Sequence, residues 1–140
     1  MPSERGMKRA QTSVEYMLAL ALTIVLVASI MVTGLKELEL DLTLSAARMG
    51  GTDFTAKNSN YTLGRIDFRI NEITNTITIT PRFHFRGAGT APDADTADAN
   101  MLCFLKMQSV FRPEISNATA DYCFDAPYRR YCTTALLLPA

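Results

Sequence analysis

Residues Met17–Gly34 read MLALALTIVLVASIMVTG, with no charged side chain anywhere in the run. As an α-helix at ~1.5 Å per residue the run extends ~27 Å, close to the ~30 Å hydrocarbon thickness of a bilayer. The rest of the 140-residue chain is far more polar and holds all three cysteines. The run therefore divides the protein into an apolar N-terminal helix and a water-soluble C-terminal body. The expected fold class is α+β: a long N-terminal apolar helix followed by a small antiparallel β-rich domain.

Charge adds little beyond that division. Lys plus Arg equal Asp plus Glu at 14 each, so no global charge points to nucleic acid as a partner. Trp is absent and His84 is the only histidine, which leaves little for a histidine-based metal site. No nucleophile, base and oxyanion constellation is recognisable, and no phosphate-binding loop. The chain is not expected to be an enzyme, and no cofactor is implied.

Three kinds of N-terminal segment compete. A cleaved secretory signal has a basic start, ~7–15 apolar residues and a small-residue cut after them; here the apolar run is longer and no such site follows it. A plain membrane anchor fits the length. The basic residues Arg5, Lys8 and Arg9 before the run would keep the N-terminus cytoplasmic and place the body outside. Neither reading accounts for Glu15, a carboxylate at the mouth of the run.

Lys8–Tyr16, KRAQTSVEY, supplies a third reading. The stretch resembles the class III signal peptide of archaeal type IV pilins, whose core is Gln-x-Ser-x-Glu-Tyr, falling here on Gln11, Ser13, Glu15 and Tyr16 behind the basic pair Lys8 and Arg9. The resemblance covers about the first quarter of the chain. It implies cutting by a prepilin peptidase between Ala10 and Gln11, with the apolar helix kept on the product. It also implies a pilin-like fold, a homopolymeric surface filament serving adhesion, and partners in a pilus assembly ATPase and its membrane platform. Membrane lipid would hold the helix before assembly. Glu15 would then be the fifth residue of the trimmed chain, placed to meet a neighbour's terminal amine and fix axial register. Removing one partner of such a buried pair typically costs ~3–5 kcal/mol. On this reading residues 1–10 are the leader, 11–49 the filament-core helix and 50–140 the exported domain. A single-pass binding module and a minor component of a pilus or secretion assembly remain as alternatives.

Past Gly34 the helical spacing of Leu35, Leu38, Leu42 and Met49 predicts continuation to about Arg48, with Gly50-Gly51 as the stop; the rival pattern, Leu38, Leu40, Leu42 and Leu44 in alternation with acids or Thr, reads as a strand. The body reads as strands. Ile66, Phe68 and Ile70 alternate with polar residues. After a turn near Thr74-Asn75, Ile77, Ile79, Phe83 and Phe85 share one face, opposite Thr76, Thr78, Thr80, Arg82 and His84. Pro81 suggests an edge strand or a bulge. Arg86–Asn100 is a loop by composition, whose Asp93, Asp95 and Asp98 read as solvated rather than as a calcium site. Met101–Phe111, apolar on both faces, is expected to be a strand. Cys123 and Cys132 flank a turn around Asp125-Ala126-Pro127 and are the expected disulfide, with Cys103 a buried thiol. Asn60-Tyr61-Thr62 and Asn117-Ala118-Thr119 are glycosylation sequons, with acceptors Asn60 and Asn117.

Overall fold

A computed structural model describes residues 4–111 and 121–139, with side chains from Gln11 onward. Helix α1 spans Glu4–Lys57, strand β1 Tyr61–Asn71 and strand β2 Thr76–Phe85. Helix α2 covers Asp93–Phe111, and β3 (Cys123–Asp125), β4 (Arg130–Thr133) and β5 (Leu136–Pro139) follow. The architecture is α+β, a long apolar N-terminal helix ahead of a small sheet domain. Contacts separate the chain into two compact units, one ending at Glu37 and one beginning at Leu38. α1 contributes to both.

In the first unit, the described side chains of α1 are almost all exposed within the chain, including Leu18, Leu22, Ile24, Val25 and Ile30. In the second, α1 buries Glu39, Thr43, Ala46, Ala47 and Phe54, a spacing of three, four and seven that puts one helical face against the sheet. Two apolar clusters result. Ala46 and Ala47 meet Ile77, Ile79, Phe104, Met107 and Tyr131 in one, and Phe54 meets Tyr61, Phe83, Ala99 and Cys103 in the other. α1 and β2 thus run in the same direction across the core.

α1 passes through Gly50-Gly51, where a stop was expected. The glycines serve packing instead. A Cβ on Gly50 would lie 2.6 Å from the Cys103 Cα and 2.8 Å from the Leu102 carbonyl oxygen. The bare backbone lets α2 approach α1 more closely than any side chain would allow.

Met101–Phe111 is helical, not a strand, and the helix begins inside the expected loop at Asp93. Its buried residues pair up as Ala99/Asn100, Cys103/Phe104 and Met107/Gln108, recurring every four positions as one helical face requires. Asp93 and Asp95 fall in its first turn, where negative charge complements the helix dipole. The acidic cluster is therefore a helix start.

The sheet combines antiparallel and parallel pairs. Its order is β1-β2-β4-β3, with β5 also on β2. The β1–β2 and β3–β4 pairs are antiparallel hairpins, but β4 and β5 lie parallel to β2. β3, the first strand after α2, runs opposite to β2; the tight β3–β4 turn then reverses the chain into β4, and β5 continues in the same direction. β2 is central, so Pro81 is not on an edge strand. It sits opposite the register shift between Leu63 and Ile66, and between the β2 segments that pair β4 (Thr76–Ile79) and β5 (Arg82–Phe85). A residue without an N–H is tolerated at such a break in the ladder.

The alternation read in β2 holds: Ile77, Ile79, Pro81 and Phe83 are buried and His84 is exposed. That of β1 holds only partly. Phe68 and Ile70 share the core face with Ile79 and Ile77 yet remain 45% and 47% exposed.

Candidate functional site

Three features carry chemistry, and the first is the apolar helix with its mouth. Gln11–Lys57 contains a stretch long and apolar enough to cross a membrane. The hydroxyls inside the run are all turned inward on the helix. Thr23 Oγ1 donates to the Ala19 carbonyl at 2.8 Å, Ser29 Oγ to Val25 at 3.0 Å and Thr33 Oγ1 to Ser29 at 3.0 Å. Each bond closes four residues back, so the helix satisfies its own polar groups and asks nothing polar of its surroundings. At the mouth, Gln11 Nε2 approaches Glu15 Oε1 at 3.4 Å, one turn apart, and Ser13, Glu15 and Tyr16 are exposed. Lys8, Arg9 and Ala10 belong to α1 by their backbone, so the Ala10–Gln11 bond lies within a helix.

The second feature is the polar face of the sheet. Asp67 is paired with two arginines, Arg65 Nε at 3.0 Å and Arg82 Nε at 2.6 Å. With Arg69, Thr78 and Thr80 they border an open depression of about 790 Å³. Such a face offers hydrogen bonds and a partly neutralised positive charge, without a nucleophile. Cys132 lies opposite Thr78 and Cys123 opposite Cys132. The two cysteines form a disulfide across the β3–β4 hairpin with Cα atoms 4.1 Å apart.

The third is a set of buried polar groups that sequence reasoning missed. Glu39, only 4% exposed, accepts the Tyr128 backbone N–H on Oε2 at 3.1 Å. Tyr131 is fully buried beside it, and burial, then the Glu39 carboxylate, push its phenol well above the ordinary range. Glu39 sits in the stretch Glu37-Leu38-Glu39-Leu40-Asp41-Leu42, whose alternation also fits a strand; only the helix brings it beside Thr43, four residues on. Farther along, Tyr61 donates to Asp95 Oδ2 at 2.6 Å, and burial together with that bond raises its pKa to about 12. Cys103, unlike these, was expected as a buried thiol; it is free and buried, and burial lifts its thiol to about 12. It stays protonated at neutral pH and is inert as a nucleophile.

Asn60 is exposed in the turn between α1 and β1; Asn117 lies outside the described residues. Among the described residues no group of three or more His, Cys, Asp or Glu is arranged to hold a metal ion. Comparison with protein-family models, curated proteins and solved structures gave no match.

Proposed function

We propose that the chain is a filament subunit of the archaeal type IV pilin kind, cut between Ala10 and Gln11 by a prepilin peptidase. It polymerises through its N-terminal helix into a cell-surface filament serving adhesion, driven by an assembly ATPase on a membrane platform. The reading rests on the resemblance of Lys8–Tyr16 to the class III signal peptide. The observation that carries it beyond the sequence is the uncovered, hydroxyl-satisfied helix, which suits lipid and a bundle of like helices equally. In the filament the helices exchange lipid contacts for contacts with one another, and the sheet domains form the outer shell. The precursor sits in the cytoplasmic membrane with its body outside.

Mass spectrometry of the N-terminal peptide from membrane and sheared fractions tests the proposal. A peptide starting at Gln11 and enriched in the sheared fraction is expected, and it also reports whether the Gln has cyclised. A chain starting at Met1 or Met7 and confined to membranes would sink the reading. Glu15→Ala is expected to be cut normally but to leave the sheared fraction empty, and normal filaments from it would remove the register role. The polar face around Asp67 and Arg82 favours a second reading, a single-pass anchored binding module. That protein would stay monomeric in membranes after shearing.

A further inference from the structure

At one end of the body a turn holds an isoleucine in open space. The β1–β2 connection runs Asn71-Glu72-Ile73-Thr74-Asn75, and Ile73 is 97% exposed, although such turns are normally built from polar residues. The turn is well braced. Asn71 Oδ1 accepts the backbone N–H groups of Ile73 and Thr74 at 3.1 and 3.3 Å. Asn75 adopts a left-handed φ of 50°, which Asn tolerates better than most residues. The apolar side chain is therefore presented outward by a defined backbone.

Three hydrogen bonds establish which end of the body this is. Asn75 Nδ2 donates to the Tyr128 carbonyl at 2.7 Å, and the Arg130 N–H donates to the Asn75 carbonyl at 3.1 Å. The Tyr128 N–H donates to Glu39 at 3.1 Å. Glu39 is the second residue of the body, which begins at Leu38, and the uncharged run ends only four positions earlier at Gly34. Four helical steps span ~6 Å, and even fully extended they reach only ~14 Å. Ile73 thus belongs to the end of the body tethered next to the apolar run, whatever the angle between the two units.

The residues around it suit a lipid interface. Tyr128, Arg129 and Arg130 line a shallow depression of about 360 Å³ together with Thr74 and Asn75. Tyrosine beside arginines is the composition favoured at membrane–water boundaries, where aromatic rings settle among headgroups and cations meet phosphates. Glu72 and Asp125 lie at the same end, so net charge supplies no general attraction. The contact must come from apolar insertion and local arginine–phosphate pairing.

The geometry points to a lipid-contact surface at this end. While the subunit is unassembled, Ile73 inserts among the headgroups of the bilayer that holds the apolar run, and Arg129 and Arg130 meet lipid phosphates. This rests on the run being membrane-embedded, so the test must separate the two. The chain contains no Trp, which makes single Trp substitutions clean reporters in full-length protein reconstituted into phospholipid vesicles with brominated acyl chains. Leu26→Trp reports on the run, Ile73→Trp on the turn, and Thr90→Trp on the β2–α2 connection at the opposite end of β2.

Loss of emission from Leu26→Trp and Ile73→Trp, with Thr90→Trp unaffected, is expected. Quenching of Leu26→Trp while Ile73→Trp behaves like Thr90→Trp would overturn the lipid contact and leave the membrane reading standing. An unquenched Leu26→Trp would overturn both. If Ile73→Trp were shielded from aqueous quencher without being quenched by bromine, and only at high protein density, its occupant would be a second copy and the proposal would fail. Charge reversal by Arg129→Glu with Arg130→Glu should relieve most of the Ile73→Trp quenching; unchanged quenching would remove the phosphate contacts.

Discussion

Two of the glycines in helix α1 have opposite surroundings. A Cβ on Gly34 would meet nothing within 4 Å, whereas one on Gly50 would run into the Cys103 backbone. The same contrast separates the two stretches of α1 that hold them. Around Gly34 the helix is apolar on every side and uncovered by its own chain. Around Gly50 it is amphipathic, with Ala46, Ala47 and Phe54 buried and Arg48 and Met49 exposed. One continuous helix thus joins two stretches of different composition. In water a helix needs only one apolar stripe, because the other side stays wet. A helix uniformly apolar is stable only where something other than water surrounds it. Its own chain covers one face of the second stretch and leaves the first bare.

Crossed substitutions probe that division most strongly. Phe54→Ala should destabilise the body by about 3–5 kcal/mol, seen as a lower urea midpoint of the full chain in detergent micelles, while membrane fractionation stays normal. Val25→Arg should do the reverse. Its charge at mid-run costs about 2.5–3.5 kcal/mol of insertion, so the protein leaves the membrane fraction with its body midpoint unchanged. If either variant moved both readouts, the two stretches would not be independent. Next in size, reducing the Cys123–Cys132 bridge should cost the body about 2–3 kcal/mol, the loop-closure value for so short a loop. Non-reducing peptide mapping should recover these two cysteines linked.

A paired glycine test follows. Gly50→Ala should overpack the α1–α2 crossing and cost about 1–3 kcal/mol, whereas Gly34→Ala should leave the body's midpoint alone and raise helicity slightly. Equal effects would mean that the close approach at Cys103 is not limiting.

The smallest effect is in pH. Tyr61 and Cys103 both have folded pKa values raised to about 12, from ordinary values of 10.0 and 9.0. Both are neutral in the fold, so their stabilisation is fully present below the unfolded values and is lost as pH rises toward 12. The urea midpoint should hold through neutrality and fall above about pH 9. A flat midpoint across that window would mean that neither group is held in its neutral form by folding.

The sequence announced the helix because an uncharged run of that length has few alternative fates, and it announced β2 because six alternating positions leave one reading. It concealed α2. Met101–Phe111 is apolar around more than one stripe, which hides the period that distinguishes helix from strand. Its helical register emerges only when the sheet supplies the surface for Cys103, Phe104 and Met107. The direction of β4 and β5 was hidden too, since it depends on which way the β3–β4 hairpin lies beside β2, a long-range pairing. At the candidate site, the Lys8–Tyr16 motif and the Cys123–Cys132 pair are local and could be read directly. Glu39, Tyr128 and Asn75 could not, because the bonds that join them link positions 53 and 89 residues apart. Ile73, next to the expected turn at Thr74-Asn75, carries no local signal of its place at the tethered end.

The central position of β2 also governs when the body can close. Its antiparallel partner β1 immediately precedes it, so that hairpin can form as soon as both strands exist. Its parallel partners come much later, with Ile77 waiting for Tyr131 and Phe83 for Leu137. Until those residues arrive, one whole edge of β2 stands bare, and long-range pairing of this kind is slow and exposed to wrong partners. The order of synthesis therefore delivers the apolar helix first and the finished sheet last. A chain whose helix has already found lipid would complete its fold beside the membrane, where the tether keeps the open edge close to its own late strands.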